Sequence, residues 1–435
     1  MRKNNQAKKP AKGCFSRRKF INIASSAGLY GFMMKGASVA GITGSFRLPA
    51  PSEINDKNTN LIGAYGEWAA RKMDARLPSH SFRNDQWRNL EAWQPSARKL
   101  TAERLAAPDL GSMPEVSVNK QYTYDGLHIE ELSWPLPYGR PAEALLLKPS
   151  GSRSPLPGIL AFHDHAANKY FGKRKITRTA AESHPVMEAH QRDYYDGLAW
   201  ANEIAKKGYV VLVSDAFPFA SRRVMLQDVP AHLRNGLTDD EPENPANIDA
   251  YNEWAARHEH IMAKSLFSAG TTWPGVFLAE DKIALDILCA RSDVDTARIG
   301  CGGLSGGGMR TVFMAGLDPR IKCAVCVGFM TTWKDLVLYT SVMHTWMTYV
   351  PLLPNELDFP EILGLSVPLP VFVINASDDP LFTLQGMEDA DAVLGEVYRK
   401  ANAPDKYKCS FYPGGHKFGA EMQKDAFDWF DRWLK

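Results

Sequence analysis

The chain has 435 residues, of which 45% are apolar and 23% are charged. This is the composition of an ordinary globular protein, and the length allows either one elaborated α/β domain or two domains. The formal net charge of only +2 argues against a dedicated nucleic-acid-binding protein.

The segment 1–40 has the features of a twin-arginine export signal. A basic start leads to the pair Arg17–Arg18, and a weakly apolar run over 21–34 follows. Ser38 and Ala40 supply small side chains at the −3 and −1 positions of a cleavage site after Ala40. A membrane anchor is the alternative, but the run is too short and too polar to span a bilayer comfortably. We predict an exported bacterial protein, periplasmic or secreted, that uses the twin-arginine machinery and keeps no stable membrane anchor after cleavage.

The next two segments differ in composition. Residues 41–61 are rich in Pro, Ser, Asn and Asp and are predicted to be a linker. Residues 62–114 are rich in Trp, Arg and Ala, and the spacing of their apolar side chains predicts a helical extension packed on the main domain. From Glu115 the period changes to two, which predicts four strands of an antiparallel meander over 116–119, 121–124, 128–134 and 142–147.

The domain predicted over 115–435 continues with alternating strands and helices. Continuous apolar runs indicate strands buried on both faces, over 158–162, 209–214, 323–327 and 368–374, and a further strand is predicted over 406–412. Helices are predicted over 199–207, 275–290, 309–316, 384–401 and 418–434. The acidic, Pro-rich segment 216–270 is predicted to be an insertion with a helix over 247–268. The pattern predicts an α/β fold with a mostly parallel, doubly wound sheet and antiparallel N-terminal strands.

A candidate nucleophile lies in the stretch Gly303–Gly307, which fits G-x-S-x-G with Ser305 at its centre. An apolar strand led by Ile299 precedes it, and the helix over 309–316 follows. This context is that of a nucleophile elbow, where the serine adopts a strained backbone conformation and its neighbours must be glycines. The alternative is a glycine-rich turn with a solvent-facing serine.

A serine hydroxyl needs a base in order to attack, and the base needs an orienting group. Both are present on loops that follow later strands, at the edge where open α/β sheets carry their sites. Asp378 and Asp379 compete for the acid role; we assign it to Asp379, which precedes Pro380, and expect Asp378 to cap the turn or to bind backbone amides. His416 follows a double glycine and is assigned as the base.

The oxyanion hole requires backbone N–H groups directed at the developing negative charge. We assign one to Gly306 and the other to His165, in the loop after strand 158–162. Further candidates for substrate contact are His163 and Asp164, which alternatively brace this loop, Lys169, which is alternatively part of a solvated basic face, and Trp273.

A metal site at His163, Asp164 and His165 is a rival interpretation. Three adjacent residues cannot all face one ion from a strand end, and no partner cluster is evident, so no metal or other cofactor is predicted. The cysteines Cys323 and Cys326 form C-x-x-C inside an apolar run. Because strand positions three apart point to opposite faces, buried thiols are expected there rather than a redox or zinc pair.

Residues 115–435 resemble α/β-hydrolases of the dienelactone hydrolase-like group, close to an exported bacterial branch that is also similar to acetyl xylan esterases. The resemblance rests on the following matches: His163–His165, Asp293-x-Asp295-x-x-Arg298, Gly303–Gly307, Asp379–Pro380 and Gly415–His416. It implies an α/β-hydrolase fold and a serine-dependent reaction. Dienelactone hydrolases proper carry cysteine as the nucleophile, and Ser305 departs from that pattern.

The expected activity is hydrolysis of carboxylic esters through an acyl-enzyme, with a small-molecule or carbohydrate ester as substrate. Three alternatives stay open. One is a non-catalytic binding protein that retains the fold without the chemistry, although such a protein has no need to keep three triad members in order. A lactone or dienelactone-type hydrolase shares the fold, and a peptidase of the prolyl-oligopeptidase type would use the same triad but would also need a propeller domain of several hundred residues.

Overall fold

The computed structural model describes residues 60–74, 77–152 and 154–435. The predicted signal peptide and all of the predicted linker except its last two residues lie outside this part of the chain. The described residues contain a nine-stranded sheet with helices on both faces. None of their helices is long and apolar enough to cross a membrane.

The sheet is antiparallel at its N-terminal edge and parallel elsewhere, in the order β1-β2-β3-β5-β4-β6-β7-β8-β9. The strands are β1 (Ser117–Tyr124), β2 (Leu127–Trp134), β3 (Ala142–Pro149), β4 (Leu156–Phe162), β5 (Val210–Ser214), β6 (Val294–Leu304), β7 (Ile321–Val327), β8 (Val371–Ala376) and β9 (Tyr407–Tyr412). Strand β3 pairs antiparallel with β5 and so joins the meander to the parallel part. The predicted fold class is confirmed.

The helices of the described residues include two in the N-terminal extension and the predicted insertion helix. They are α1 (Gly66–Asp74), α2 (Leu90–Leu105), α3 (Pro185–Tyr195), α4 (Trp200–Lys206), α5 (Pro245–Ser268), α6 (Trp273–Cys289), α7 (Gly306–Leu317), α8 (Phe359–Gly364), α9 (Leu384–Lys400) and α10 (Ala420–Leu434). Short helical turns fill the segment between β7 and α8, for which the sequence carried no clear period: Trp333–Asp335, Leu336–Thr340, Ser341–Met343, Trp346–Thr348 and Leu353–Asn355.

Strand β4 shows why its apolar run is continuous. Ile159 and Ala161 belong to the core on the side of α4 and α10, whereas Leu160 and Phe162 belong to the core on the side of α6 and α7. All four are almost completely buried. A strand covered on both faces has no position where a polar side chain meets water, so the alternation of polar and apolar residues disappears.

The first strand differs from the prediction. Residues 116–119 and 121–124 were expected to be separate strands, but they belong to one strand, β1. Its pairing register with β2 shifts between Val118 and Lys120, so that Asn119 is an extra residue. A bulge of this kind interrupts the period-two pattern without ending the strand.

The cysteines of the described residues are free thiols. Cys323 lies in the core cluster on one face of the sheet and Cys326 in the cluster on the other face. Their side chains therefore point in opposite directions from β7, as the strand geometry predicts.

The N-terminal extension is attached to the domain by hydrogen bonds at several points. The Leu61 amide donates to the Leu338 carbonyl (2.9 Å), and the Thr272 hydroxyl donates to the Leu105 carbonyl (2.6 Å). The extension therefore lies against both the start of α6 and the segment after β7.

Helix α7 is fixed to α6 by a buried ion pair. The guanidinium of Arg310 donates to both carboxylate oxygens of Asp281 (3.0 and 2.5 Å) and lies over the ring of Phe162 (4.4 Å from its centroid). Both charged residues are no more than 3% exposed. The pair joins the helix after Ser305 to the end of β4.

We predict that Asp281→Ala lowers the free energy of unfolding by about 3–5 kcal/mol, because it leaves the Arg310 charge buried without a partner. The double variant Asp281→Leu/Arg310→Met is expected to recover most of that loss, since both charges are gone. Urea unfolding of the three proteins measures the difference. Equal losses in the single and double variants would contradict this account.

Candidate active site

Ser305 is the residue between the last position of β6 and the first position of α7. Its backbone has φ 58° and ψ −119°, a conformation that is strained for any residue other than glycine. Two backbone hydrogen bonds hold it there, from the Ser305 amide to the Val327 carbonyl (2.8 Å) and from the Met309 amide to the Ser305 carbonyl (2.9 Å). The sharp turn predicted for the nucleophile elbow is present in the structure.

Glycine is required on both sides of this turn because β4 approaches closely. A Cβ atom on Gly303 would lie 2.3 Å from the Phe162 carbonyl oxygen, and one on Gly307 would lie 2.4 Å from the same atom. Any side chain at either position would push β4 away from the turn. The close approach brings the loop after β4 beside Ser305.

The imidazole of His416 is bonded to Asp379. His416 Nδ1 lies 2.6 Å from Asp379 Oδ2, and the other carboxylate oxygen accepts a hydrogen bond from the Leu381 amide (2.9 Å). Asp379 is 2% exposed. Because the carboxylate can only accept, Nδ1 carries the proton and Nε2 keeps its lone pair. Nε2 is buried and has no hydrogen-bond partner among the described residues.

Asp378 has a different set of partners. Its carboxylate accepts from the Gly414 amide (2.9 Å), and its own amide donates to the Gly414 carbonyl (3.1 Å). These bonds connect the loop after β8 to the loop that carries His416. Of the two candidate acids, Asp379 therefore contacts the imidazole and Asp378 braces the backbone.

Two effects act in opposite directions on the pKa of His416. Burial lowers it, because the charged form loses its hydration. The Asp379 carboxylate, through its charge and its hydrogen bond, and the charge of Asp164 outweigh burial, and the pKa is raised above its ordinary value. The imidazole is therefore easier to protonate than one in water.

The residues that carry the two assigned oxyanion amides are neighbours in space. A Cβ atom on Gly306 would lie 3.2 Å from the His165 backbone nitrogen. Gly306 is the first residue of α7, and its N–H has no acceptor inside the helix. The His165 N–H donates no hydrogen bond within the described part of the chain.

The His165 side chain is held by the insertion helix α5. Its Nδ1 accepts from the Ala167 amide (3.0 Å), so that Nε2 carries the proton, and Nε2 lies 3.3 Å from Glu259 Oε1. The same oxygen lies 2.8 Å from Lys169 Nζ. Burial raises the pKa of Glu259, but Lys169 and His165 outweigh it and hold that pKa well below its usual range. Glu259 is thus a buried carboxylate whose partners are on the oxyanion loop.

Asp164, predicted to contact substrate, is a structural anchor of this loop. It is 1% exposed and accepts hydrogen bonds from the Tyr195 hydroxyl and from His190 Nε2 (3.1 Å). Lys175 Nζ donates to the backbone carbonyls of Asp164 (2.8 Å) and His165 (2.9 Å). These bonds are those expected of a residue that braces the loop, the alternative that the sequence also allows.

His163 also bonds to protein atoms around the loop. Its Nε2 accepts from the Ala216 amide (3.2 Å), and its Nδ1 pairs with the Asp164 carbonyl (3.0 Å), so both ring nitrogens are used. Burial, together with the charges of Lys175 and Arg310, lowers the pKa of His163 to about 3. The ring is neutral and buried.

Lys169 and Trp273, the other candidates for substrate contact, line one small pocket together with Glu259 and other side chains of α5. Lys169 is 2% exposed and Trp273 1% exposed. Lys169 is therefore an internal ion-pair partner rather than part of a solvated basic face.

The rival metal interpretation has no support in the described part of the chain, where no three His, Cys, Asp or Glu side chains come together as a metal site would require. Two residues that sequence reasoning missed lie close to the site, namely Glu259 and His344. His344 Nε2 donates to the Leu381 carbonyl (2.8 Å), in the triad acid loop. Neither residue belongs to a motif. Glu259 lies in a helix and His344 between two helical turns, and the fold brings both to the site.

Comparisons with known proteins agree with the fold. Residues 274–435 match the model of the prolyl oligopeptidase family, Peptidase S9. The chain is 26% identical over 296 residues to the "Putative hydrolase YtaP" of Bacillus subtilis (strain 168), covering 67% of this chain and 84% of that protein.

Several solved structures have a similar fold, at lower sequence identity. A "putative acetyl xylan esterase" from Bacteroides fragilis NCTC 9343 superposes with a TM-score of 0.60 at 16% identity, over 83% of this chain and 87% of that one. "Methylesterase BT1017" gives 0.55 at 18% identity, over 86% and 69%. A glucuronoyl esterase from Solibacter usitatus gives 0.51 at 13% identity, over 78% and 91%.

At these identities the solved structures speak for the fold alone, whereas the family model covers the C-terminal segment 274–435, which carries Ser305, Asp379 and His416. The fold, the family match over 274–435 and the relative agree that this protein is a serine hydrolase with an α/β-hydrolase fold.

Proposed function

We propose that this protein hydrolyses carboxylic esters, with Ser305 as nucleophile, His416 as base and Asp379 as the residue that orients His416. One observation carries the proposal: His416 is fixed by Asp379 at 2.6 Å through Nδ1, while its Nε2 lone pair is buried and unused. A buried acceptor without a donor is costly in a folded protein unless a ligand or a reaction uses it.

The first half of the reaction forms an acyl-enzyme. As Ser305 Oγ bonds to the ester carbonyl carbon, its proton passes to His416 Nε2, and the carbonyl electron pair moves to the oxygen. The amides of Gly306 and His165 stabilise this oxyanion. When the intermediate collapses, the bond to the alcohol oxygen breaks, and His416 delivers the proton to that oxygen.

The second half reverses these roles with water in place of the alcohol. His416 takes a proton from the water as its oxygen bonds to the acyl carbon. The tetrahedral intermediate then releases Ser305, which regains its proton from His416, and the carboxylic acid leaves. Asp379 stabilises the imidazolium in both halves and does not itself become protonated.

Carbohydrate esters are the substrate class we favour. Three proteins of similar fold are named as an acetyl xylan esterase, a methylesterase and a glucuronoyl esterase. Their names concern those proteins, and they support the proposal for this chain only through the shared fold.

A peptidase is the second candidate, favoured by the match of residues 274–435 to the prolyl oligopeptidase family. The same triad would attack a peptide bond. The described part of this chain holds a nine-stranded sheet and no propeller domain. A lactone-type hydrolase remains the third candidate, because a cyclic ester needs the same chemistry.

We predict that Ser305→Ala reduces kcat/KM on p-nitrophenyl acetate by about 10⁴-fold or more, since the nucleophile is lost. Ser152→Ala, at an exposed turn, is the matched control and retains the wild-type rate. Initial rates on acetylated xylan and on glycyl-prolyl p-nitroanilide complete the panel. Faster turnover of the peptide than of every ester would refute the ester proposal, and an unchanged rate in Ser305→Ala would refute the nucleophile.

The pH dependence follows from the raised pKa of His416. His416 must be neutral to act as a base, so kcat/KM declines as the pH falls through this raised pKa. Asp379→Asn removes the charge that raises it; we expect a loss of about 10⁴-fold in kcat and an acidic limb that moves to lower pH. Asp378→Asn is the comparison and leaves the limb in place. A limb that moves in Asp378→Asn but not in Asp379→Asn would reverse the two assignments.

We also propose that the protein is exported by the twin-arginine machinery and acts in the periplasm or outside the cell. The sequence of the segment 1–40 supports this proposal. The free thiols of the domain are compatible with it, because this route exports proteins that have already folded.

We predict that Arg17→Lys/Arg18→Lys keeps the protein in the cytoplasm of a bacterial host that has this machinery, because the paired guanidinium groups are the recognised feature. Arg2→Lys serves as the control and leaves export intact. Esterase activity is measured in periplasmic and cytoplasmic fractions. Equal periplasmic activity in the double variant and the control would exclude this route.

A further inference from the structure

A short segment between β7 and α8 crosses from one side of the candidate site to the other. We call residues 341–348 the strap; it consists of two short helical turns, Ser341–Met343 and Trp346–Thr348, joined by His344 and Thr345. The segment has no role in the proton transfers described above.

Hydrogen bonds connect two positions of the strap to residues of the site. At one end His344 Nε2 lies 2.8 Å from the Leu381 carbonyl, and the Leu381 amide donates to Asp379. At the other end the Trp346 amide donates to Glu259 Oε2 (3.3 Å), and the other oxygen of Glu259 pairs with His165. The strap therefore spans the space between the triad acid loop and the oxyanion loop.

The hydrogen bond to Leu381 determines the tautomer of His344. A carbonyl oxygen can only accept, so Nε2 carries the proton and Nδ1 carries a lone pair. Nδ1 has no partner within the described part of the chain. Burial, with help from the charge of His416, lowers the pKa of His344 to about 4, so the ring is neutral near pH 7. His344 thus presents a fixed hydrogen-bond acceptor.

The surroundings of this acceptor are aromatic. The rings of Phe329 and Phe382 lie 5.7 and 4.8 Å from the imidazole and hold its plane. Trp346, two residues along the strap, is 45% exposed. An oriented acceptor flanked by two apolar rings, with an exposed indole two residues along the strap, is suited to contact a ring that bears a hydroxyl.

The position of His344 relative to His416 indicates which part of the ester His344 would contact. His416 gives its proton to the leaving alcohol, so the alcohol must lie next to this imidazole in the transition state. His344 is bonded to the loop that holds Asp379, the partner of His416. The charges of His416, Asp379 and His165 act on His344, so its imidazole lies near the group that protonates the leaving alcohol.

We propose that His344 is a specificity-determining residue that accepts, through Nδ1, a hydrogen bond from a hydroxyl on the alcohol part of the substrate, next to the ester. The inference rests on the proposed ester hydrolysis and names its substrate class: esters of ring alcohols with a neighbouring hydroxyl, as in sugars.

The test compares two ring esters that differ by one hydroxyl, trans-2-hydroxycyclohexyl acetate and cyclohexyl acetate. The wild-type enzyme is expected to favour the hydroxylated ester by about tenfold in kcat/KM, the value of one good hydrogen bond. His344→Gln places its amide nitrogen where Nε2 was, so it keeps the bond to Leu381 and loses the acceptor. The preference should fall to about one.

His344→Asn is the matched variant with the opposite effect. Its side-chain oxygen takes the place of Nδ1, while the bond to Leu381 is lost. We expect slower turnover of both esters with the preference retained. A purely structural role of His344 would leave the wild-type preference intact in His344→Gln, and loss of the preference in His344→Asn would show that the acceptor lies elsewhere; either result would overturn the inference.

Hydrolysis of p-nitrophenyl acetate, and its loss in Ser305→Ala, reports on the proposed function separately. A wild-type enzyme that cleaves this ester but shows no preference between the two ring esters overturns the role of His344 and leaves the proposed function standing.

Discussion

The candidate site depends on one main-chain contact, the approach of the Phe162 carbonyl to Gly303 and Gly307. This contact allows β4 to lie directly beside the turn that bears Ser305. The loop that follows β4 then passes next to Gly306, so His165 and Gly306, which are distant in the sequence, become neighbours. Without the two glycines the sheet would keep its hydrogen bonds, but the nucleophile and the oxyanion loop would separate.

Buried charges then fix what the close contact brings together. Asp164 anchors the oxyanion loop from below through Tyr195 and His190, and Glu259 anchors His165 from the insertion helix. Each of these carboxylates is more expensive to bury than an apolar side chain, and each is compensated by several donors. These buried charges lower the stability of the fold but fix the orientation of the oxyanion loop. Backbone amides stabilise an oxyanion best when they are already oriented.

Much of this could be predicted from the sequence, because local patterns report local geometry. The G-x-S-x-G turn, the continuous run of β4 and the opposite directions of Cys323 and Cys326 all follow from neighbours in the chain. The pairing of Asp379 with His416 was predicted from the order of the motifs. The separate strands at 116–124 were wrong because a single extra residue, Asn119, has the same effect on a periodic pattern as a strand end.

Other features could not be predicted, because they depend on contacts between distant residues. His163 and Asp164 read as exposed polar residues at a strand end, and only their buried partners reveal them as supports. Glu259 and His344 lie on elements whose sequences carry no motif, and the fold alone brings them to the site. A linear pattern contains no information about which polar side chains find partners.

The reach of Glu259 has a consequence for how this enzyme can change. One carboxylate of the insertion holds both the loop that receives the oxyanion and the strap that contains His344. In many scaffolds an inserted segment can be exchanged to alter ligand preference while the reactive centre stays intact. Here a graft that replaced 216–270 would also withdraw the counter-charge beneath His165, so recognition and turnover are coupled and would have to be redesigned as one unit.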